Sequence, residues 1–397
     1  AIFTWDGSES VNWNTAANWN YNMVPGSSVK VFIPAGLTNY PTLSSAGACD
    51  DLTIESNSIS TGSIIGQESL TVNGAVTVKR YLTGNTWHMV SSPAPGGAVS
   101  AFLSANANIP AKNVSGTDYR GMMDYNETVN NWNTFFLNTG QPGNLTAGKG
   151  FSLRTNDAVG GTVAFTGPLS NGTVNTNVAR TDNYGWNCVG NPYPSAISVN
   201  NAADADNNFI GLNTDNLDES YAVIYVWEQE NNAYSIVSAG DDAFYAQVGQ
   251  AFFVKTSTGA TQVQFTTGMQ THQPTAAFKS GTLQSPELKL TASMGGTSRT
   301  SRIRFNDAMS TGLDIGYDAG VFKTGFDIYT KLIEDNGVDF GLQSLPETGM
   351  EAFEIPVGID ATTSGEISIS LKSENLPSGV VPILTDNQIG ASFSFEN

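Results

Sequence analysis

The sequence is short of positive charge, histidine and cysteine. Lys+Arg number 17 against 36 Asp+Glu, a formal charge of −19 over 397 residues. Binding to phosphate needs clustered cations, so nucleic acid is excluded as a partner, and an anionic membrane surface is equally disfavoured. No apolar run approaches the ~20 residues of a membrane-spanning helix. The histidines are His88 and His272, and the cysteines are Cys49 and Cys188. There is no G-x-S-x-G elbow, no H-E-x-x-H and no C-x-x-C, so activated-serine, cysteine–histidine and zinc chemistry lack the residues they require. One disulfide between them is the alternative to two separately buried thiols; each cysteine lies in an apolar strand-like run, which favours the thiols. Long amphipathic helices are missing too: no stretch keeps i, i+3, i+4, i+7 spacing over three turns.

What is present is alternation over four to seven residues, closed by Gly, Asn or Pro, as in VKVFIP (29–34), VIYVWEQ (223–229) and ISISLKS (367–373). That pattern predicts an all-β chain. Residues 1–82 carry short segments with small-residue punctuation, and L-T-I (52–54) nearly repeats as L-T-V (70–72), which predicts a short β-solenoid or an irregular sandwich. Residues 83–180 and 181–280 repeat one another. TWHMVSSPAPG (86–96) matches GWNCVGNPYPS (185–195), AGKGFSLRT (147–155) matches VGQAFFVKT (248–256), and VAFTG (163–167) matches VQFTT (263–267). Trp132 and Trp227 sit in comparable strands. Matching blocks in one order near an offset of 100 predict two tandem β-sandwiches. Residues 281–397 hold eight strand candidates and predict a C-terminal jelly-roll-like sandwich.

The blocks TWDGSESVNWNTAANWN, W-H-M-V-S-S-P, G-W-N-C-V-G-N-P-Y-P and YDAGVFKTGFDIYTKLIEDNGVDFGLQSLP resemble modular secreted and cell-surface proteins of Bacteroidota. Those proteins are typically exported by the type IX secretion system. The resemblance implies an extracellular location. In similar proteins one or two more strands and a sorting domain follow the block P-S-G-V-V-P-I-L-T-D-N, so the resemblance also implies a sorting domain removed on export and a C-terminal sandwich that lacks its closing strand. Composition, rich in Asn, Thr, Ser and Gly and poor in Lys, favours a mature chain numbered after signal-peptide cleavage over a cytosolic protein. The resemblance discriminates poorly among adhesins, lectin-like proteins and enzymes.

Several residues are candidates for function. DADNNFIGLNTDNLDE (204–219) gathers Asp204, Asp206, Asn208, Asp215 and Asp218, an oxygen-rich segment of the kind Ca²⁺ favours; the alternative is a solvated loop. Its D-x-D-x-N start is not followed by the glycine of an EF-hand loop, and Asp215 at the twelfth position is shorter than the glutamate that such a loop uses. His88 aligns with Asn187 of the second copy and reads as a strand-surface residue, as does His272. Trp5, Trp13 and Trp19 read as packing of an N-terminal cap, and Trp132 as a sugar-stacking candidate. A paired-carboxylate glycosidase is the remaining enzymatic reading, with no acid whose sequence context signals burial.

The leading expectation is architectural: an extracellular non-catalytic protein that assembles with copies of itself. An incomplete C-terminal sandwich would leave an open edge. The uncharged Ala1, Ile2, Phe3, Thr4 and Trp5 would be donated to it by a neighbour, with Phe393 and Phe395 at the receiving end. The rival is a monomeric adhesin that binds surface glycans.

Overall fold

The computed structural model describes residues 1–158, 160–181, 184–273 and 285–395. The chain is all-β, with sheets joined by short helical turns. It divides into two compact units: Ala1–Asp218 with Asp241–Lys279, and Glu219–Gly240 with Ser280–Asn397. The boundary expected at residue 280 lies outside the described residues. No helix is long and apolar enough to cross a membrane, among the described residues.

The first unit opens as a β-solenoid. Strands Ile2–Thr4, Lys30–Ile33, Leu52–Ile54 and Val76–Leu82 lie parallel, one per rung. A second parallel ladder joins Gly47–Cys49 to Leu70–Val72. The register stacks Phe3 on Val31, Val31 on Leu52 and Leu52 on Val76. All four are buried. A single rung cannot cover its own inner face, so each side chain in this column is shielded by the rung beside it.

Trp5, Trp13 and Trp19 close the first rung, fully or almost fully buried. Trp19 meets Trp5 and Trp13 edge-to-face at 5.1 and 4.8 Å, the geometry that aromatic quadrupoles favour. Trp5 Nε1 donates to the Asn39 carbonyl and Trp19 Nε1 to that of Trp13, both at 2.8 Å.

Val76–Leu82 belongs to two structures at once. One side pairs in parallel with Leu52–Ile54, the other antiparallel with Gly161–Thr166, so the sheet crosses the boundary drawn at 82/83. In the second copy, Val174–Asn177 pairs with Gln262–Phe265 in the same sense. The repeated module therefore starts at the strand 76–82. The matched blocks occupy equivalent strands. Trp87–Ser91 pairs with Gly150–Arg154, and Trp186–Gly190 pairs with Ala251–Lys255. A helix follows the first of these strands in each copy, Val99–Ala105 and Phe209–Asn213.

The two copies meet reciprocally within the first unit. The Ser91 N–H donates to the Gly249 carbonyl at 2.9 Å, and the equivalent Gly190 N–H donates to that of Gly148 at 2.8 Å. Exchanging the copies maps one bond onto the other. Gly148 and Gly249 both have positive φ, +74° and +66°, a conformation that costs a side-chain-bearing residue but not glycine. This accounts for the glycine shared by the AGKGF and VGQAF blocks.

One sequence alignment needs correction. Tyr125 pairs with Trp132, whereas Trp227 pairs with Tyr234. The Trp–Tyr couple therefore occurs in opposite order in the two hairpins, and Trp132 corresponds to Tyr234. Two edge-to-face ring pairs, at 5.3 and 5.0 Å, serve the same packing from either strand.

In the second unit one sheet runs in the order Val357–Ala361, Phe326–Thr330, Phe340–Leu345, Thr297–Phe305, Glu287–Met294, Ser368–Glu374. Its central hairpin turns on Gly295–Gly296, both at positive φ, as a two-residue loop between twisted strands requires. Strands Ile383–Asp386 and Ala391–Ser394 form a separate two-stranded hairpin.

Candidate assembly interface

The open part of the molecule lies in the second unit. The two outermost strands of its six-strand order, Val357–Ala361 and Ser368–Glu374, are consecutive in sequence. Among the described residues each pairs with one strand, Phe326–Thr330 and Glu287–Met294 respectively. Strand periodicity sends Val357 and Ile359 from one, and Ile369 and Leu371 from the other, to the face that carries the core.

Burial falls off towards both of these strands. Ile328, Leu290 and Ala292 are 1%, 3% and 0% exposed. Their register partners Ile359, Leu371 and Ile369 are only half-buried. No residue from 351 to 395 is buried. Ile367, Val381, Ile383, Ile389 and Phe393 are exposed, Ile389 to 73%. The apolar side chains of both outer strands are thus incompletely covered, and Ile383, Ile389 and Phe393 of the separate hairpin region are open to solvent.

A cavity of about 870 Å³ lies where these strands meet their connecting loops, lined among others by Met294, Gly296, Phe326, Thr362, Gly365 and Ser368. The core face also carries unpaired polar atoms. Gln343 stands in register with Ile303, and Thr330 lies two residues beyond Ile328. Both are fully buried, and neither the Gln343 amide nor Thr330 Oγ1 has a hydrogen-bond partner among the described residues. Charge stays off this face. Asp360, Lys372 and Glu374 occupy the opposite row of the outer strands, with Lys372 on Glu374 at 2.7 Å.

The N-terminal segment does not fit the donor role expected of it. Ile2–Thr4 is hydrogen-bonded to its own second rung. Phe3 and Trp5 are buried, while Ala1 and Ile2 stay exposed. The outer edge of this strand is occupied as well. Asn20 Oδ1 accepts the Thr4 N–H at 3.0 Å, its Nδ2 donates to the Ile2 carbonyl at 3.3 Å, and its own N–H donates to the Thr4 carbonyl at 3.1 Å. Donation to a neighbour would strip the tryptophan cap from its own rung. The expectation fails because alternation marks a strand without saying which sheet holds it. Phe393, in contrast, is 53% exposed, and Phe395 is half-buried beside it.

The oxygen-rich segment is not gathered around one point. Asp204 Oδ1 accepts the N–H groups of Asp206 and Asn207, both at 3.0 Å. Asn208 caps the helix Phe209–Asn213 by accepting the Gly211 N–H at 2.8 Å. Asp215 sits in the following helical turn, and Asp218 is ion-paired with Arg180 at 2.6 Å. No group of three or more His, Cys, Asp or Glu is placed to hold a metal ion, among the described residues.

Trp132 is half-buried, with its ring edge-to-face against Tyr125 and Phe253 at 5.3 and 5.6 Å. The aromatic ring offered to solvent in this module is Phe135, 43% exposed and stacked on Trp87 at 5.8 Å. Nothing in its N-N-W-N-T-F-F context separates it from the buried Phe136 beside it except alternation.

His88 is buried, not on the strand surface, and His272 is half-buried. His88 Nε2 lies 2.9 Å from the Thr83 carbonyl, and Asn187, its counterpart, donates to the carbonyls of Ala179 and Gly185. The shared task is to hold the preceding turn, which either side chain can do. His272 lies between Ser63 Oγ at 2.8 Å and Thr42 Oγ1 at 2.9 Å. Burial lowers both imidazoles to about 4.

Cys49 and Cys188 are free and buried, with burial raising the Cys49 thiol to about 12. One acid has an environment that its sequence context does not signal. Asp318 is fully buried and raised to about 7 by desolvation, while accepting the N–H groups of Asp314 at 2.7 Å and Ser344 at 2.6 Å.

No curated protein and no solved structure matches the chain. The model of a domain of unknown function, DUF8693, matches residues 60–376, a stretch that includes both outer strands of the open sheet and stops before the hairpin 383–394. The chain thus belongs to the DUF8693 family.

Proposed function

We propose that this is an extracellular, non-catalytic structural protein that assembles with copies of itself by strand addition at the C-terminal sheet. The observation that carries this reading is the fall in burial from Ile328, Leu290 and Ala292 to their register partners Ile359, Leu371 and Ile369. A strand laid on this edge would gain main-chain hydrogen bonds, and it would cover alternate apolar side chains that fix its register. The charge of −19 opposes association at long range, so a contact through an uncharged row is the least costly one. Export by the type IX route and residence at the cell surface draw their support from the resemblance of the duplicated tryptophan blocks.

The test is the state of the purified chain. Light scattering and negative-stain electron microscopy should show assemblies larger than 42.0 kDa that persist in high salt, because apolar and main-chain contacts are not screened. A monomer at every concentration would overturn the reading.

A second reading, adhesion to glycans, draws support from Phe135, exposed and stacked on Trp87. Loss of glycan retention in a Phe135→Ala variant would favour it.

A further inference from the structure

Resting on the self-assembly reading, we infer that the strand entering the open edge is Ala391–Ser394, continued by Phe395, from a second copy of this chain. Three observations carry it.

The first is pairing. Ala391–Ser394 is hydrogen-bonded only to Ile383–Asp386, through the pairs Ile383–Ser394 to Asp386–Ala391. Its other edge has no strand partner among the described residues. An unpaired row of N–H and C=O groups is what strand addition requires. The edge of Ile2–Thr4, by contrast, is protected by the Asn20 bracket.

The second is pattern. Ala391, Phe393 and Phe395 alternate with Ser392 and Ser394, so one face of the extended segment is apolar and the other carries hydroxyls. The face that would turn inward includes Phe393, now 53% exposed. Facing it in the acceptor, the outer strand Ser368–Glu374, are Ile369 and Leu371, also apolar and incompletely covered.

The third is charge. From Asn387 to Phe395 the sequence has no ionisable side chain. Insertion therefore buries no charge of the entering strand, and the core-facing row of the acceptor, Ile369 and Leu371, carries none either.

Two variants and their mixture test this. Phe393→Asp with Phe395→Asp disables the entering strand and leaves the acceptor intact. Leu371→Lys blocks the acceptor and leaves the strand intact. All substituted positions are exposed or half-buried, and unchanged tryptophan emission from the buried Trp5, Trp13 and Trp19 cluster checks folding. Each variant alone should run as a monomer in light scattering, and the equimolar mixture should form a one-to-one complex. If Leu371→Lys still assembles, the self-assembly reading at this edge fails and the inference falls with it. If Leu371→Lys is monomeric but the double variant still assembles, only the identity of the entering strand is overturned. If both are monomeric and the mixture does not combine, the segment acts within its own chain and the inference is likewise overturned.

Discussion

Asn106 and Asn213 make the same three hydrogen bonds in the two copies of the repeated module. Asn106 Nδ2 donates to the carbonyls of Phe102 and Ala164 at 2.8 and 3.0 Å, while its Oδ1 accepts the Ala164 N–H at 2.7 Å. Asn213 repeats this with Phe209 and Gln264 at 2.9, 2.9 and 2.7 Å. Each ties the end of a short helix to the last strand of its module. Beside each, a helix phenylalanine packs on a strand phenylalanine: Phe102 on Phe165, and Phe209 on Phe265. Both asparagines are buried. Asn106→Ala or Asn213→Ala would leave buried main-chain groups unpaired. Each should cost about 2–4 kcal/mol, read as a lower urea midpoint. Asn106→Asp should not rescue, because a carboxylate cannot donate to two carbonyls.

Asn20 brackets the outer edge of the first rung, so its removal should turn a protected strand into an adhesive one. Asn20→Ala is expected to cost about 1–2 kcal/mol and to add light scattering at concentrations where the parent chain shows none. A variant that loses stability without gaining association would assign Asn20 a purely local role.

Protonation acts on this fold in two opposed directions. His88 and His272 are held at about 4, below the ordinary 6.5, so between these values the unfolded chain binds more protons than the folded one. Stability should fall as pH drops from 6.5 to 4, by up to about 3 kcal/mol per histidine. Asp318, raised from 3.8 to about 7, has the opposite sign: the folded chain holds the proton longer, and stability should fall as pH rises across that range. His88→Asn, the residue used by the other copy, should flatten the acid limb of a plot of unfolding midpoint against pH. Asp318→Asn should flatten the other limb.

Gln343 buries an amide with no partner among the described residues, an arrangement that costs about 1–3 kcal/mol. Gln343→Leu, close in volume, should raise the unfolding midpoint of the chain. An unchanged or lower midpoint would mean that the amide is satisfied in solution.

The division between what can and cannot be read from sequence follows the range of each interaction. Alternation is local, so the all-β class, the tryptophan cap and the paired blocks at Trp87 and Trp186 are all legible. Partner choice is long-range. Nothing within AIFTW reveals that Asn20 closes its edge, and nothing in the two W-x-x-V blocks reveals that Gly148 and Gly249 bridge the copies. The equivalence of Asn106 and Asn213 is hidden for another reason. A longer connection from strand to helix in the second copy, with Phe209 19 positions after Gly190 where Phe102 is 11 after Ser91, places these residues off the common offset, and only their hydrogen bonds align them. Replacement of His88 by Asn in the second copy reads as a mark of exposure, whereas His88 is buried and both side chains tie down the preceding turn. Nothing within the C-terminal strands themselves marks an outer edge as open, and the occupant expected for it, Ala1–Trp5, is engaged in its own rung.

Val76–Leu82 leaves no hinge between the rungs and the first module, since one strand is the border of both. A pull on the amino-terminal rungs is passed sideways into Gly161–Thr166 through ladder bonds loaded together, not unzipped one by one. The two parts should therefore melt as a single cooperative block, and amide exchange along residues 77–82 should be among the slowest in the chain.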